Sequence, residues 1–199
     1  MPIAPLPILS FDHPSLRRRS PDVVFPREDL PDLVETLRHT LEGARGCGIA
    51  APMVGIELNL IHVDNTEVFA GLSGVERKTL FPEGTGLRTE MVNARILSEH
   101  GPVERATEAN LCFPGLSLEV ERPRSVEVEY QILSGETIRR RFEGFDARVV
   151  QHELDHVRGV LFIDHLSPAK RSMISGKLRR IANGETRPDY PMRYFKARE

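Results

Sequence analysis

The run Gln151-His152-Glu153-Leu154-Asp155-His156 constrains this chain more than any other stretch, because its HExxH spacing acquires chemical meaning only on a helix. Residues four apart on an α-helix sit about one turn apart, which places His152 and His156 on one face. Two neutral imidazoles at that separation can hold one Zn²⁺ or Fe²⁺, and Glu153 between them can act as general base toward an activated water. The chemistry indicated is metal-assisted hydrolysis. Phe145, Val149, Val160 and Leu161 supply apolar residues near helical spacing and Gly159 is a stop signal, so a helix is expected over about residues 146–158. The plainer alternative is an exposed helix whose His, Glu and Asp face water.

A chain of 199 residues with 40% hydrophobic content suits one well-cored domain, and residues 1–199 are expected to form it. The net charge of -2 provides no basic field, so nucleic acid is not an expected partner; Arg17-Arg18-Arg19 and Arg139-Arg140-Arg141 read as solvated faces. Only Cys47 and Cys112 are present, no apolar run is long enough to span a membrane, and Met1-Pro2-Ile3-Ala4-Pro5 lacks the features of a secretory leader. A reducing cytoplasm is the expected setting.

Residues 10–26, rich in Pro, Arg and Ser, read as an extended arm. A helix should then start at an Asp29 N-cap with Pro31 in its first turn, carry the stripe Leu30, Leu33, Val34, Leu37 and Leu41, and end at Gly43 and Gly46. Strands are expected at 58–63 and 91–97, separated by a Gly-rich surface loop over about 69–89. Val126, Val128, Tyr130 and Ile132 alternate with polar residues, Ser134-Gly135 turns the chain, and residues 137–142 return, which marks a hairpin. A last helix should run from Ser167-Pro168 to about Ala182, with 184–199 a loosely held tail. Hairpin-linked strands between an early helix and a late one argue for an α+β fold with mixed or antiparallel sheets around the central HExxH helix. The glycines at 43, 46, 48 and 55 follow a helix rather than a strand, which argues against a dinucleotide site.

HExxH supplies two ligands, and a catalytic centre needs a third. No later His or Glu sits at an extended zincin spacing, and His62, His100 and His165 read as structural or surface residues. Two other stretches carry a resemblance. Gly46-Cys47-Gly48-Ile49-Ala50-Ala51-Pro52-Met53-Val54-Gly55 is similar to a GxGxAAxQxG box, and Glu108-Ala109-Asn110-Leu111-Cys112-Phe113-Pro114-Gly115 to an EGCLSxPG box. With QHELDH they occur in the order found in the peptide deformylases, which the chain resembles over most of its length. The resemblance implies a deformylase-like α+β fold, a cytosolic or organellar location, and one divalent ion (Fe²⁺, Zn²⁺ or Ni²⁺). It also implies removal of formyl from the N-terminal Met of a nascent peptide, at the ribosome, by a monomer or homodimer. It assigns His152 and His156 as metal ligands, Glu153 as the base, the Leu111 N–H as an oxyanion donor, and Gly48 and Ile49 to substrate alignment.

Three positions depart from the pattern. With the second box registered on Leu111 and Pro114-Gly115, the thiolate ligand's place holds Asn110, whose neutral amide oxygen is a weak ligand; Cys112, two residues on, reads rather as a small buried residue. Met53 replaces the glutamine that gives the second oxyanion donor, a loss worth about 10²- to 10³-fold in rate. Arg148, one turn before His152, falls where the family lines an apolar methionine pocket, and could pair with a carboxylate from substrate or from Glu108, or snorkel to solvent. The expectation is therefore a deformylase-like hydrolase of weak or altered activity. The alternatives left open are a catalytically silent binding module and an amidase for another N-acyl substrate.

Overall fold

The computed structural model describes residues 4–195. Its elements run β1 (Ile8–Leu9), α1 (Leu30–Ala44), β2 (Gly48–Ala50), β3 (Leu60–Asp64), α2 (Thr66–Gly71), α3 (Gly74–Leu80), β4 (Arg88–Ala109), β5 (Ser117–Gln131), β6 (Thr137–Glu143), α4 (Gly144–Val157), α5 (Pro168–Met173), α6 (Ser175–Ala182) and β7 (Met192–Arg193). Strands β2-β3-β4-β5-β6 form one antiparallel sheet in that order, and β1 pairs with β7 in parallel. The alternation at 126–132 has the expected outcome: Val126, Val128 and Tyr130 are buried and pair across the hairpin with Phe142, Arg140 and Ile138. The class is α+β, with α4 at its centre.

β6 passes into α4 without a loop. Gly144 makes that corner at φ 60, and a Cβ there would lie 2.4 Å from the Leu80 carbonyl oxygen, so both conformation and space call for glycine. Residues of α4 from Asp146 to Val157 are buried apart from Arg148, which is partly so. Burying so polar a helix is costly unless its groups are paired. Pairing is what the sheet and the flanking turns provide. Asp146 accepts from Asn65 Nδ2 at 2.7 Å, Gln151 Nε2 donates to the carbonyls of Pro123 and Ala147 at 3.0 Å, and Asp155 accepts from Arg122 at 2.8 Å. Two exceptions remain on this helix among the described residues: Glu153 Oε2 and His156 Nδ1 are buried without a hydrogen-bond partner.

Several expectations need correction. α1 does not stop at Gly43 but runs to Ala44 and ends at Arg45 in the left-handed region (φ 53), while Asp29 holds the N-cap position with its carboxylate turned to Arg27. The region expected as a loop contains α2 and α3; the second starts at a capping box in which Ser73 and Glu76 satisfy each other's backbone N–H groups. The strand expected at 91–97 spans Arg88–Ala109, with register shifts that absorb Gly101 and Pro102. The last helix is broken at Ile174 into α5 and α6. The segment after Gly184, expected to be loose, is pinned as far as it is described: Ile8 N–H and Ser10 N–H donate to the carbonyls of Pro191 and Arg193, both at 2.9 Å. Residues 196–199 of that tail lie outside the described residues.

Candidate active site

The β4–β5 hairpin and α4 build the site between them. Glu108 closes β4, Asn110 begins the turn that follows, and Arg122 returns on β5 facing the same helix. Arg122, buried, donates to both oxygens of Glu108 at 2.7 and 3.0 Å and to Asp155 Oδ2 at 2.8 Å. His165 Nε2 meets the same Asp155 oxygen at 2.8 Å, so this histidine has a structural place, as expected. Burial works to raise the Glu108 carboxyl, but hydrogen bonds from His152 and Arg122 and the guanidinium charge outweigh it and hold the group far below the usual carboxylate range.

Ionised Glu108 sets the tautomer of His152. Nδ1 lies 2.9 Å from Glu108 Oε2 and must donate to it, which turns Nε2 toward the site. His156, fully buried, is held at about 3 by burial first and by the neighbouring His152 second, so it is neutral. Both Nε2 atoms converge on Asn110, whose Nδ2 lies 3.0 Å from His152 and 2.8 Å from His156. The other end of that amide, Oδ1, accepts the Cys112 N–H at 2.8 Å. Asn110, not Cys112, therefore faces the histidines. Cys112 is fully buried, and burial pushes its thiol up.

Glu153 adjoins this group with Oε2 unpartnered, and burial raises its carboxyl to about 7. A group near neutrality can both take and return a proton. β2 approaches it closely: a Cβ on Gly48 would fall 2.7 Å from Glu153 Oε1. A cavity of about 380 Å³ opens here, lined by Gly48, Met53, Glu108, Asn110, Leu111, Arg148, His152 and Glu153 among others. Ile49 is fully buried in the core and does not line it. Met53 is also buried, and its thioether accepts the Ala50 N–H at 3.2 Å, so the position offers an acceptor and no donor. Leu111 carries a carbonyl that accepts the Tyr190 hydroxyl at 2.8 Å, and its N–H meets no acceptor among the described residues.

Arg148 does not snorkel to solvent. It donates to Glu108 Oε1 at 2.7 Å, to the Val120 carbonyl at 3.1 Å and to the Glu104 carbonyl at 2.7 Å, which fixes a cation in the cavity wall. Sequence reasoning missed Arg122, Tyr190 and Cys47, the last two also lining the cavity. Nothing in the pattern of β5 distinguishes Arg122 from the half-buried Arg124 two residues on. Tyr190 sits between Pro188 and Pro191 in a stretch without periodicity.

Among the described residues no group of three His, Cys, Asp or Glu side chains meets to hold a metal. The donor set is two imidazoles and a carboxamide. It nonetheless fits a divalent ion in part: two imidazole Nε2 atoms converge on one point, and a buried carboxylate oxygen without a partner lies beside them. His152 and His156 would hold such an ion, with Asn110 as third ligand only through Oδ1. No described helix is long and apolar enough to cross a membrane.

Comparison with known proteins agrees with this geometry. A family profile described as Polypeptide deformylase matches residues 5–172. A peptide deformylase of Christiangramia forsetii is 32% identical over 197 residues, covering 98% of each chain. Among solved structures, a plant peptide deformylase superposes with a TM-score of 0.76 at 27% identity, covering 91% of each chain. That of Thermotoga maritima gives 0.69 at 34% identity, covering 82% of this chain and 99% of its own.

Proposed function

The chain belongs to the peptide deformylase family of metallohydrolases, and from that premise we propose that it hydrolyses the N-formyl group from the N-terminal Met of nascent peptides, with weak or altered activity. The observation that carries this reading is the convergence of the two imidazoles beside Glu153, whose free Oε2 is buried and aimed at no protein group. His152 and His156 would hold a divalent ion, which when bound would supply Lewis-acid polarisation of the formyl group and the attacking water. Glu153 takes the proton of that water and returns it to the leaving amine, a cycle suited to a carboxyl raised to about 7. The Leu111 N–H stabilises the oxyanion as the formyl carbon becomes tetrahedral. Gly48 gives Glu153 the room to lie against β2, and with β2 it would align the substrate backbone.

Weakness follows from two of the departures. Met53 leaves the oxyanion with one donor fewer, a cost of about 10²- to 10³-fold in rate. Asn110 presents an amide where a charged ligand gives tighter hold. Arg148 favours a second reading, an amidase for another N-acyl group, because a tethered cation disfavours methionine in the pocket. Cys47 and Cys112, both free thiols, fit a reducing cytoplasm as the setting.

The test compares metal content and formyl-Met-peptide hydrolysis of the wild type and of Asn110→Cys combined with Met53→Gln. Gain of activity in the double variant is expected. Wild-type turnover equal to that of the double variant refutes the claimed impairment, and absence of both metal and turnover in either protein favours a silent module.

A further inference from the structure

We propose that Asn110 is a latch on the metal centre: its carboxamide occupies the ion's place when the ion is absent, and binding an ion requires the amide to swing away. The inference rests on the reading of this site as a metal centre. Each hydrogen of Nδ2 has an acceptor, His152 Nε2 at 3.0 Å and His156 Nε2 at 2.8 Å, while Oδ1 accepts the Cys112 N–H at 2.8 Å. A backbone N–H is always a donor, so the amide atom 2.8 Å from Cys112 N must be Oδ1, and Nδ2 is left to face the two histidines. The amide orientation is thus determined by the Cys112 backbone. Turned the other way, Nδ2 would oppose the Cys112 N–H, donor against donor.

A third donor held this way behaves differently from an ordinary weak ligand. With the amide in this position both imidazole Nε2 atoms have a hydrogen-bond partner, while Glu153 Oε2 and His156 Nδ1 have none. An ion must displace two hydrogen bonds to gain the histidines, and to gain Oδ1 it must break a third. The loss of a few ordinary hydrogen bonds corresponds to a penalty on the order of 100-fold in affinity. The centre is therefore one in which Asn110 opposes metal more than it holds it.

Removing the amide separates the two roles. Binding of Co²⁺ and Zn²⁺ to chelator-stripped protein, measured by competition with a chromophoric chelator, should be about 10-fold tighter in Asn110→Ala than in the wild type, because the histidines are released. Asn110→Cys should bind roughly 100-fold tighter than the wild type. If Asn110→Ala binds either ion more weakly than the wild type, Asn110 is a plain ligand and the latch is overturned. Failure of every variant, including Asn110→Cys, to bind either ion overturns the metal-centre reading itself, and the latch with it. A measurement on the wild type alone covers the case of a variant that does not fold. In ¹⁵N spectra of the metal-free protein, the Asn110 side-chain NH₂ pair should exchange slowly with solvent and shift when Zn²⁺ is added. A fast-exchanging pair unaffected by Zn²⁺ also overturns the proposal.

Discussion

Asp146 sits in the first turn of α4, buried, with Asn65 Nδ2 on its Oδ1 at 2.7 Å, and it is the side chain whose replacement by asparagine has the clearest expected sign. Burial raises its carboxyl from 3.8 to about 6 against the opposing hydrogen bond from Asn65. A group whose pKa is higher folded than unfolded contributes stability that is whole below the unfolded value and is lost as pH rises through the folded one. At about 1.4 kcal/mol per unit, full ionisation costs roughly 3 kcal/mol. The helix N-terminus attracts a carboxylate and returns up to about 1 kcal/mol, leaving about 2 kcal/mol. Asp146→Asn keeps an acceptor for Asn65 and cannot ionise. It should therefore match the wild type near pH 4 and exceed it by about 2 kcal/mol at pH 8. Urea unfolding of chelator-treated protein at constant ionic strength, at pH 4.5, 6 and 8, measures the difference. Taking the difference removes other groups that titrate in this window, Glu153 among them. A stability gap independent of pH, or a wild type more stable than the variant at pH 8, refutes the reasoning.

Arg122→Met removes the cation shared by buried Glu108 and Asp155, leaving them Arg148, His152 and His165, and should destabilise the fold by about 3 kcal/mol, read as a fall in the urea midpoint; a loss below about 1 kcal/mol would show that the bridge carries little. Gly48→Ala places a methyl 2.7 Å from Glu153 Oε1 and 2.9 Å from Val149 Cγ1, so turnover should fall at least ~10-fold through misplacement of the base while the fold persists. Unchanged kcat would mean that Glu153 has room to move. Iodoacetamide on the native protein, mapped by mass spectrometry, should label the half-buried Cys47, slowly because burial raises its thiol, and leave Cys112 untouched until denaturant is added. Labelling of Cys112 first would contradict its burial.

Much of the fold was legible because local pattern and global role coincide. The 126–142 hairpin alternates with the pleat and α4 carries its histidines at helical spacing, so both could be read from single residues. β4 was harder: Gly101-Pro102 reads as a break, and only pairing with β5 shows that bulges carry the strand past it. α3 was misjudged although Ser73 and Glu76 spell its start, since the glycines around them dominated the reading. At the site, the boxes revealed the histidines, Glu153 and the substitutions at Asn110, Met53 and Arg148. They could not reveal which end of the Asn110 amide faces the histidines, which depends on the Cys112 N–H. Nor could they show that Arg148 spends its charge on Glu108 and two carbonyls, a fact of the β5 backbone's position.

The hydroxyl of Tyr190 on the Leu111 carbonyl has a consequence in time. Synthesis runs from the N-terminus, so the residues around Tyr190 and β7 leave the ribosome after every other part of the site. The turn that presents the Leu111 N–H is therefore secured last, by a segment that also closes over the N-terminal arm through β1. A nascent copy of this protein has its histidines and Glu153 assembled before its oxyanion donor is held in place, and acquires a complete site only once Tyr190 has emerged.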